Sequence, residues 1–203
     1  MVIRNELSAE QINLLKELLK VKCGGFSFNA FMFRNENDME MEISYPNYLI
    51  ISMSEAKCNL KLSVQNVLSE NYEKLLYDFS IITYQPTDVK TTLIYSFQVH
   101  EIKLYSQHIQ VVDNNAELGF VDYIWDAHIL LKSEVGNVLI SMDNGMNGTI
   151  RMRFNQTRIE EYLEMNHKYG NRTQFNTLRM TMRYDELSGK IEIQSPGGEP
   201  SLV

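Results

Sequence analysis

Two cysteines in 203 residues are too few for a disulfide framework, and Cys23 and Cys58 show no metal-ligand spacing. We read both as reduced structural thiols. Proline is scarce too, at four residues, and no Pro/Gly/Ser-rich linker divides the chain. A single domain over residues 1–195 is therefore expected, with PGGEPSLV (196–203) as a disordered tail. Its last residues, Ser201, Leu202 and Val203, also match the short pattern of a C-terminal peptide read in a groove, a match that three residues reach easily by chance. No stretch approaches the roughly 20 apolar residues of a membrane span. The opening MVIRNELSAEQ lacks the apolar core of a secretory signal, so the expected location is cytoplasmic, with no membrane partner. Basic residues are in deficit, 19 Lys plus Arg against 26 Asp plus Glu, for a net charge of −7. That field disfavours nucleic acid and anionic membranes as general partners.

Local catalytic signatures are missing as well. Walker A, G-x-S-x-G, H-E-x-x-H and G-x-G-x-x-G do not occur, which excludes enzymes that carry their chemistry in one such motif. DNGMNG puts Asp143, Asn147 and Gly148 at the first, fifth and sixth positions of a calcium loop. Gly145 then stands third and Phe154 twelfth, where a bidentate Glu is required, so a hairpin turn is expected and no metal. The sequons at Asn147, Asn155 and Asn171 carry no weight without a secretory route.

What the chain does have is alternation. In FVDYIWDAHILLK (120–132), Val121, Tyr123, Trp125, Ala127, Ile129 and Leu131 all fall on one face at a period of two. The opposite face mixes Asp122, Asp126 and His128 with apolar residues, as a central strand covered on both sides would. Similar alternation marks Met39–Tyr45, Cys58–Val67, Val138–Met142, Thr149–Phe154 and Thr177–Tyr184. In the segment around Leu93–Val99 the apolar positions then shift to Ile102 and Leu104, which predicts a bulge near His100 or Glu101.

Ser8 with Gln11 forms a capping box for a helix burying Ile12, Leu15, Leu18 and Leu19, which Gly24 and Gly25 end. Thr157 with Glu160 opens a second helix running to Gly170, with Glu164 and Lys168 paired at i, i+4. SENYEKLLY (69–77) reads as a short third. The apolar run Phe26–Arg34 reads as one strand returning through a hairpin. About ten strands in succession with two or three helices give an α+β, mainly antiparallel β fold in one or two packed sheets, sandwich- or barrel-like.

Two constellations stand out. Asp122 and His128 lie about 20 Å apart along a strand at roughly 3.3 Å per residue, too far to share a reacting atom. Asp126 and His128, about 7 Å apart by the same rise, can converge, the carboxylate orienting the imidazole as a general base. A further histidine, His100 or His108, from a neighbouring strand would be needed to make a metal site.

The second constellation is basic. From Arg151 to Arg183 seven basic residues face three acidic ones. Arg151, Arg153, Arg179 and Arg183 stand on the outward positions of two strands and would make one cationic face if those strands share a sheet. Arginine's planar fork suits carboxylate or phosphate. These features lead to a non-enzymatic cytoplasmic binding protein, an inhibitor or neutraliser of another macromolecule that docks a protein partner through a sheet face and its loops, the arginine face suiting an acidic partner or a polyanion such as nucleic acid, and needs no cofactor. The alternatives are a small hydrolase or metal-dependent enzyme built on Asp126 and His128, and a subunit of a larger assembly.

Overall fold

The computed structural model describes residues 2–28, 32–35, 40–44, 47–53, 59–68, 75–85, 91–93, 96–112, 120–143, 148–154, 159–164, 167–169, 172–198 and 201–202. Strand β1 (Val2–Asn5) leads into helix α1 (Ala9–Lys20). The capping box closes as expected: Gln11 N donates to Ser8 Oγ at 3.2 Å and Ser8 N donates to Gln11 Oε1 at 2.9 Å. Leu7 just before the cap is buried and Ile12 one turn later packs on the same core, the placement of a hydrophobic staple. The helix ends at an extended Val21. Gly24 and Gly25 do not stop it. They lie inside the next strand, where Gly25 takes φ 139° beside a bulge, a conformation that favours glycine.

Strands β2 (Cys23–Phe28), β3 (Met32–Asn35), β4 (Glu40–Ser44), β5 (Tyr48–Met53), β6 (Asn59–Leu68), β7 (Leu75–Tyr84) and β8 (Thr91–Leu93) follow. The run read as one strand from Phe26 to Arg34 is divided between sheets, because its apolar residues offer no alternation to fix a single register. Of the helix expected over 69–77, Leu75, Leu76 and Tyr77 belong to β7; residues 69–74 lie outside the described residues. Most of the expected DNGMNG turn also lies outside them.

The long strands come next: β9 (Val99–Val112), β10 (Phe120–Ser133), β11 (Gly136–Asp143) and β12 (Thr149–Phe154). Helix α2 (Ile159–Glu164) is only six residues long, and the cap residue Thr157 lies outside the described residues. The helix expected to reach Gly170 is cut short, since His167–Tyr169 form β13 and pair with β14 (Arg172–Asp185). Cross-strand pairing there replaces the Glu164–Lys168 helical pair. Strands β15 (Lys190–Gln194) and β16 (Ser201–Leu202) complete the chain. The tail expected to be disordered thus supplies a short edge strand, with Ser201 opposite Ile193 and Leu202 opposite Glu192.

These strands form two packed, mostly antiparallel sheets, sandwich-like and not closed into a barrel. One has the order β16-β15-β14-β9-β10-β11-β12-β4-β3, with β1 and β13 beside it; the other runs β7-β6-β5-β2-β8. A single core cluster joins them, with Phe26, Ile51 and Leu62 from the small sheet against Trp125, Ile129 and Ile140 from the large one, and Leu15 and Leu18 from α1. Burying each such side chain contributes roughly 1.5–3 kcal/mol. The 120–132 strand is central, as its composition requires. One edge of β10 pairs with β9 along its length; the other is shared end to end by β1, parallel at 122–125, and β11, antiparallel at 128–133.

Three bulges shape the central strands. His100 is the extra residue in β9, where the sequence predicts one. Ala127 in β10 and Arg179 in β14 are the other two, lying on either side of Tyr105 and its neighbours in β9. Past the second of these, Leu178 leaves the main core and joins a cluster on the opposite face, while Met180 and Met182 stay inside. That opposite, outer face carries α2, whose Ile159 and Leu163 pack on Tyr105, Leu130 and Leu139.

Candidate functional site

Asp126, His128 and the four arginines lie on strands β10, β12 and β14 of the large sheet but not all on one face: His128 is opposite Tyr105 and Asp126 opposite Ser106, consecutive residues of β9 whose side chains point to opposite faces. Asp126 sits at the bulge of β10, in the gap between the ends of β1 and β11. Its Oδ1 accepts from Ser106 Oγ at 2.9 Å and its Oδ2 from the Leu7 amide at 2.7 Å and from Arg179. Burial pushes this carboxyl up, against the opposing pull of the Leu7 amide, Arg179 and Ser106. Asp126 therefore ties the start of α1 to the sheet. Its oxygens serve these donors, and the expected role of orienting His128 falls to another residue.

His128 is buried, 5 % exposed. Its Nδ1 lies 2.9 Å from Ser141 Oγ and its Nε2 3.2 Å from Asn176 Oδ1. The proton positions follow from the partners of Asn176. Its Nδ2 donates to the Leu163 carbonyl at 2.9 Å, and its Oδ1 also accepts from Gln107 Nε2 at 3.2 Å. An amide oxygen cannot donate, so Nε2 carries the ring hydrogen, and in the neutral ring Nδ1 is left to accept from the Ser141 hydroxyl. The direction of every bond is consistent: Ser141 to His128 to Asn176.

His108 makes a separate group at the other end of β10. Its Nε2 lies 3.0 Å from Thr177 Oγ1, its ring stacks on Phe175 at 4.7 Å, and its Nδ1 is 3.9 Å from Asp122 Oδ1, beyond hydrogen-bond length. Burial, with Arg4, pushes the imidazole down, against Asp122 and Glu6. Among the described residues no three His, Cys, Asp or Glu side chains come together as a metal ion requires, so neither His100 nor His108 completes a centre with His128 there.

The arginine-bearing strands β12 and β14 do share the large sheet, and Arg151, Arg153 and Arg183 face outward. Three strands separate them, roughly 19 Å at the usual strand spacing, and each guanidinium meets carboxylate. Arg151 lies 3.5 Å from Glu42, Arg153 3.2 Å from Glu40, Arg179 against Asp126 and 3.7 Å from Glu6, and Arg183 against Glu101. The four arginines thus form two separated, charge-balanced groups instead of one cationic face. Alternation puts a side chain outward; it does not tell what stands beside it.

Between those groups, Glu101 also lies 3.4 Å from Lys132 and 3.9 Å from Lys103, and α2 contributes Glu160, 3.1 Å from Lys103 and bonded to Lys132. The hydrogen bond from Lys132 holds the Glu160 carboxyl below the ordinary glutamate range. Burial, with Glu160, Glu164 and Glu101 nearby, pushes the Tyr105 phenol up.

Sequence reasoning missed Ser141 and Asn176. The signal for Ser141 was hairpin arithmetic: a turn at Glu134–Val135 sets His128 opposite Ser141, whereas a turn placed at Gly136–Asn137 does not. Asn176 carried no local signal, because β9 lies between its strand and that of His128. Cys23 is buried and its thiol is pushed up to about 12 by burial, in keeping with a structural thiol. Among the described residues no helix is long and apolar enough to cross a membrane. The chain matches no protein-family model, no curated protein and no solved structure.

Proposed function

We propose that this chain works by binding: a cytoplasmic inhibitor or neutraliser that docks an acidic protein partner on the outer face of the large sheet, at its β14 side. The observation that carries this reading is Arg183. Its side chain is 52 % exposed, and it stands at the rim of a network in which Arg183, Lys103 and Lys132 meet Glu101 and Glu160, with Glu192 directly opposite Arg183 on β15. With Glu192 included the rim is charge-balanced, so the attraction rests on the half-exposed guanidinium of Arg183 and not on a net positive patch. A partner carboxylate fits the solvent-facing side of that guanidinium, since arginine's planar fork suits carboxylate. The chain's overall field makes a polyanion the poorer occupant.

Co-purification of the full chain from its native cell at moderate salt tests this. A stoichiometric protein should remain bound, be released as salt rises, and be lost with Arg183→Gln while surviving Arg172→Gln, a control at an exposed arginine of the same strand. Neutral glutamine avoids setting a second carboxylate against Glu101. A partner that stays equally bound to Arg183→Gln, or the absence of any stoichiometric partner, ends this reading.

A further inference from the structure

We infer that Ser141 is an activated nucleophile, with His128 as its general base and Asn176 as the residue positioning that base, in a site that takes small carboxylic esters with compact acyl groups. The inference is independent of the docking surface and rests on a row of side chains crossing the sheet.

Strand register aligns that row. His128 lies directly opposite Ser141, Ser141 directly opposite Arg151, and Arg151 directly opposite Glu42. Residues so placed share a face with Cβ atoms about 4.5–5.5 Å apart. Ser141 is therefore flanked by the imidazole on one side and the guanidinium on the other. The hydroxyl already donates to Nδ1 at 2.9 Å, the polarity that general-base activation needs. Nε2 is held by Asn176, itself fixed by Gln107 and the Leu163 carbonyl. The serine, base and orienting amide thus make the contacts of such a triad with the two ring nitrogens exchanged, the serine on Nδ1 and the orienting group on Nε2. Arg151, held by Glu42 at 3.5 Å, places a fixed positive charge where a carbonyl oxygen would become negative.

The step balances. Ser141 Oγ bonds to the carbonyl carbon while its proton passes to His128 Nδ1 and the carbonyl electron pair moves onto the oxygen beside Arg151. Collapse of the adduct breaks the ester C–O bond, and the leaving alcohol takes the proton from His128. Water, deprotonated by the same nitrogen, then hydrolyses the acyl-serine, releasing the acid and restoring Ser141. With Ser141 only 7 % exposed, the site excludes a polymer and is restricted to slim acyl groups.

The test uses the full chain with diisopropyl fluorophosphate and with 4-nitrophenyl acetate. The native protein should take one phosphoryl adduct, mapped to Ser141 by mass spectrometry, and release a burst of one equivalent of nitrophenolate. His128→Gln should slow labelling at least about 100-fold, with Trp emission and circular dichroism confirming that it folds. Should that variant fail to fold, the wild-type pH–rate profile decides, since base catalysis requires labelling to fall on the acid side. Asn176→Ala should slow labelling, and Asn176→Asp should restore it and move the acid limb to higher pH, because a carboxylate on Nε2 favours the protonated ring. Native protein with no adduct on Ser141, an adduct formed equally fast by folded His128→Gln, or a rate flat between about pH 5 and about pH 8 overturns the proposal.

Discussion

Asp126 shows what one buried carboxylate does for its surroundings. Removing it leaves Arg179 with Glu6 alone at 3.7 Å and takes the acceptor from both the Leu7 amide and the Ser106 hydroxyl. Breaking a buried pair from one side is costlier than removing both partners, because the remaining charge is left in low dielectric. Asp126→Ala should therefore lower the unfolding free energy by about 3 kcal/mol. Adding Arg179→Met should recover part of it, with a coupling of about 1–3 kcal/mol in urea denaturation; strictly additive losses would show that the two side chains do not act as a pair. The sequence could nominate Asp126, His128 and the four arginines, since side-chain type and outward position are local properties. It could not assign their partners, since those are set by neighbours 13 to 119 residues away in the chain.

At the level of elements, α2 is attached to the sheet by Ile159 and Leu163, by the Asn176 bond to the Leu163 carbonyl and by the Glu160 carboxylate. Glu160 bonds to Lys132 and Lys103, and its carboxyl is held below the ordinary range by Lys132. A lowered acid contributes stability that is fully present above its unfolded value, about 4.3, and is lost as pH falls through the lowered one. Acidification below about pH 4 should thus speed amide exchange in Ile159–Glu164 before the sheets open. Glu160→Gln should exchange quickly at neutral pH and show no further acid step there. Exchange in α2 that stays slow until global unfolding would contradict the ionic attachment. The strands around it were legible because one solvated or polar face enforces alternation, and the His100 bulge because the apolar phase slips across it. The bulges at Ala127 and Arg179 were hidden. Apolar residues continue at even spacing through the first, and Leu178 finds a second apolar cluster on the other side of the sheet.

For the whole molecule, a single tryptophan sits 4 % exposed within the cluster that joins both sheets and α1. Its emission should be blue-shifted, and in urea it should shift at the same midpoint as the far-ultraviolet circular dichroism, the mark of one cooperative unit. Separate midpoints would mean that the two sheets unfold independently. The mainly antiparallel α+β class followed from strands in succession, whereas the number of sheets and the assignment of strands to them did not, because β2 and β3 are both apolar and lie in different sheets. The placement of β1 has a consequence for how the protein is made. Residues 2–5 complete an edge of β10 that is not synthesised until residues 122–125 appear. At about 5–20 residues per second on the ribosome, the first strand waits on the order of ten seconds for its only described partner. During that interval it is an unpaired edge in a growing chain, and α1, which can close its own capping box at once, is the nearest element available to shield it.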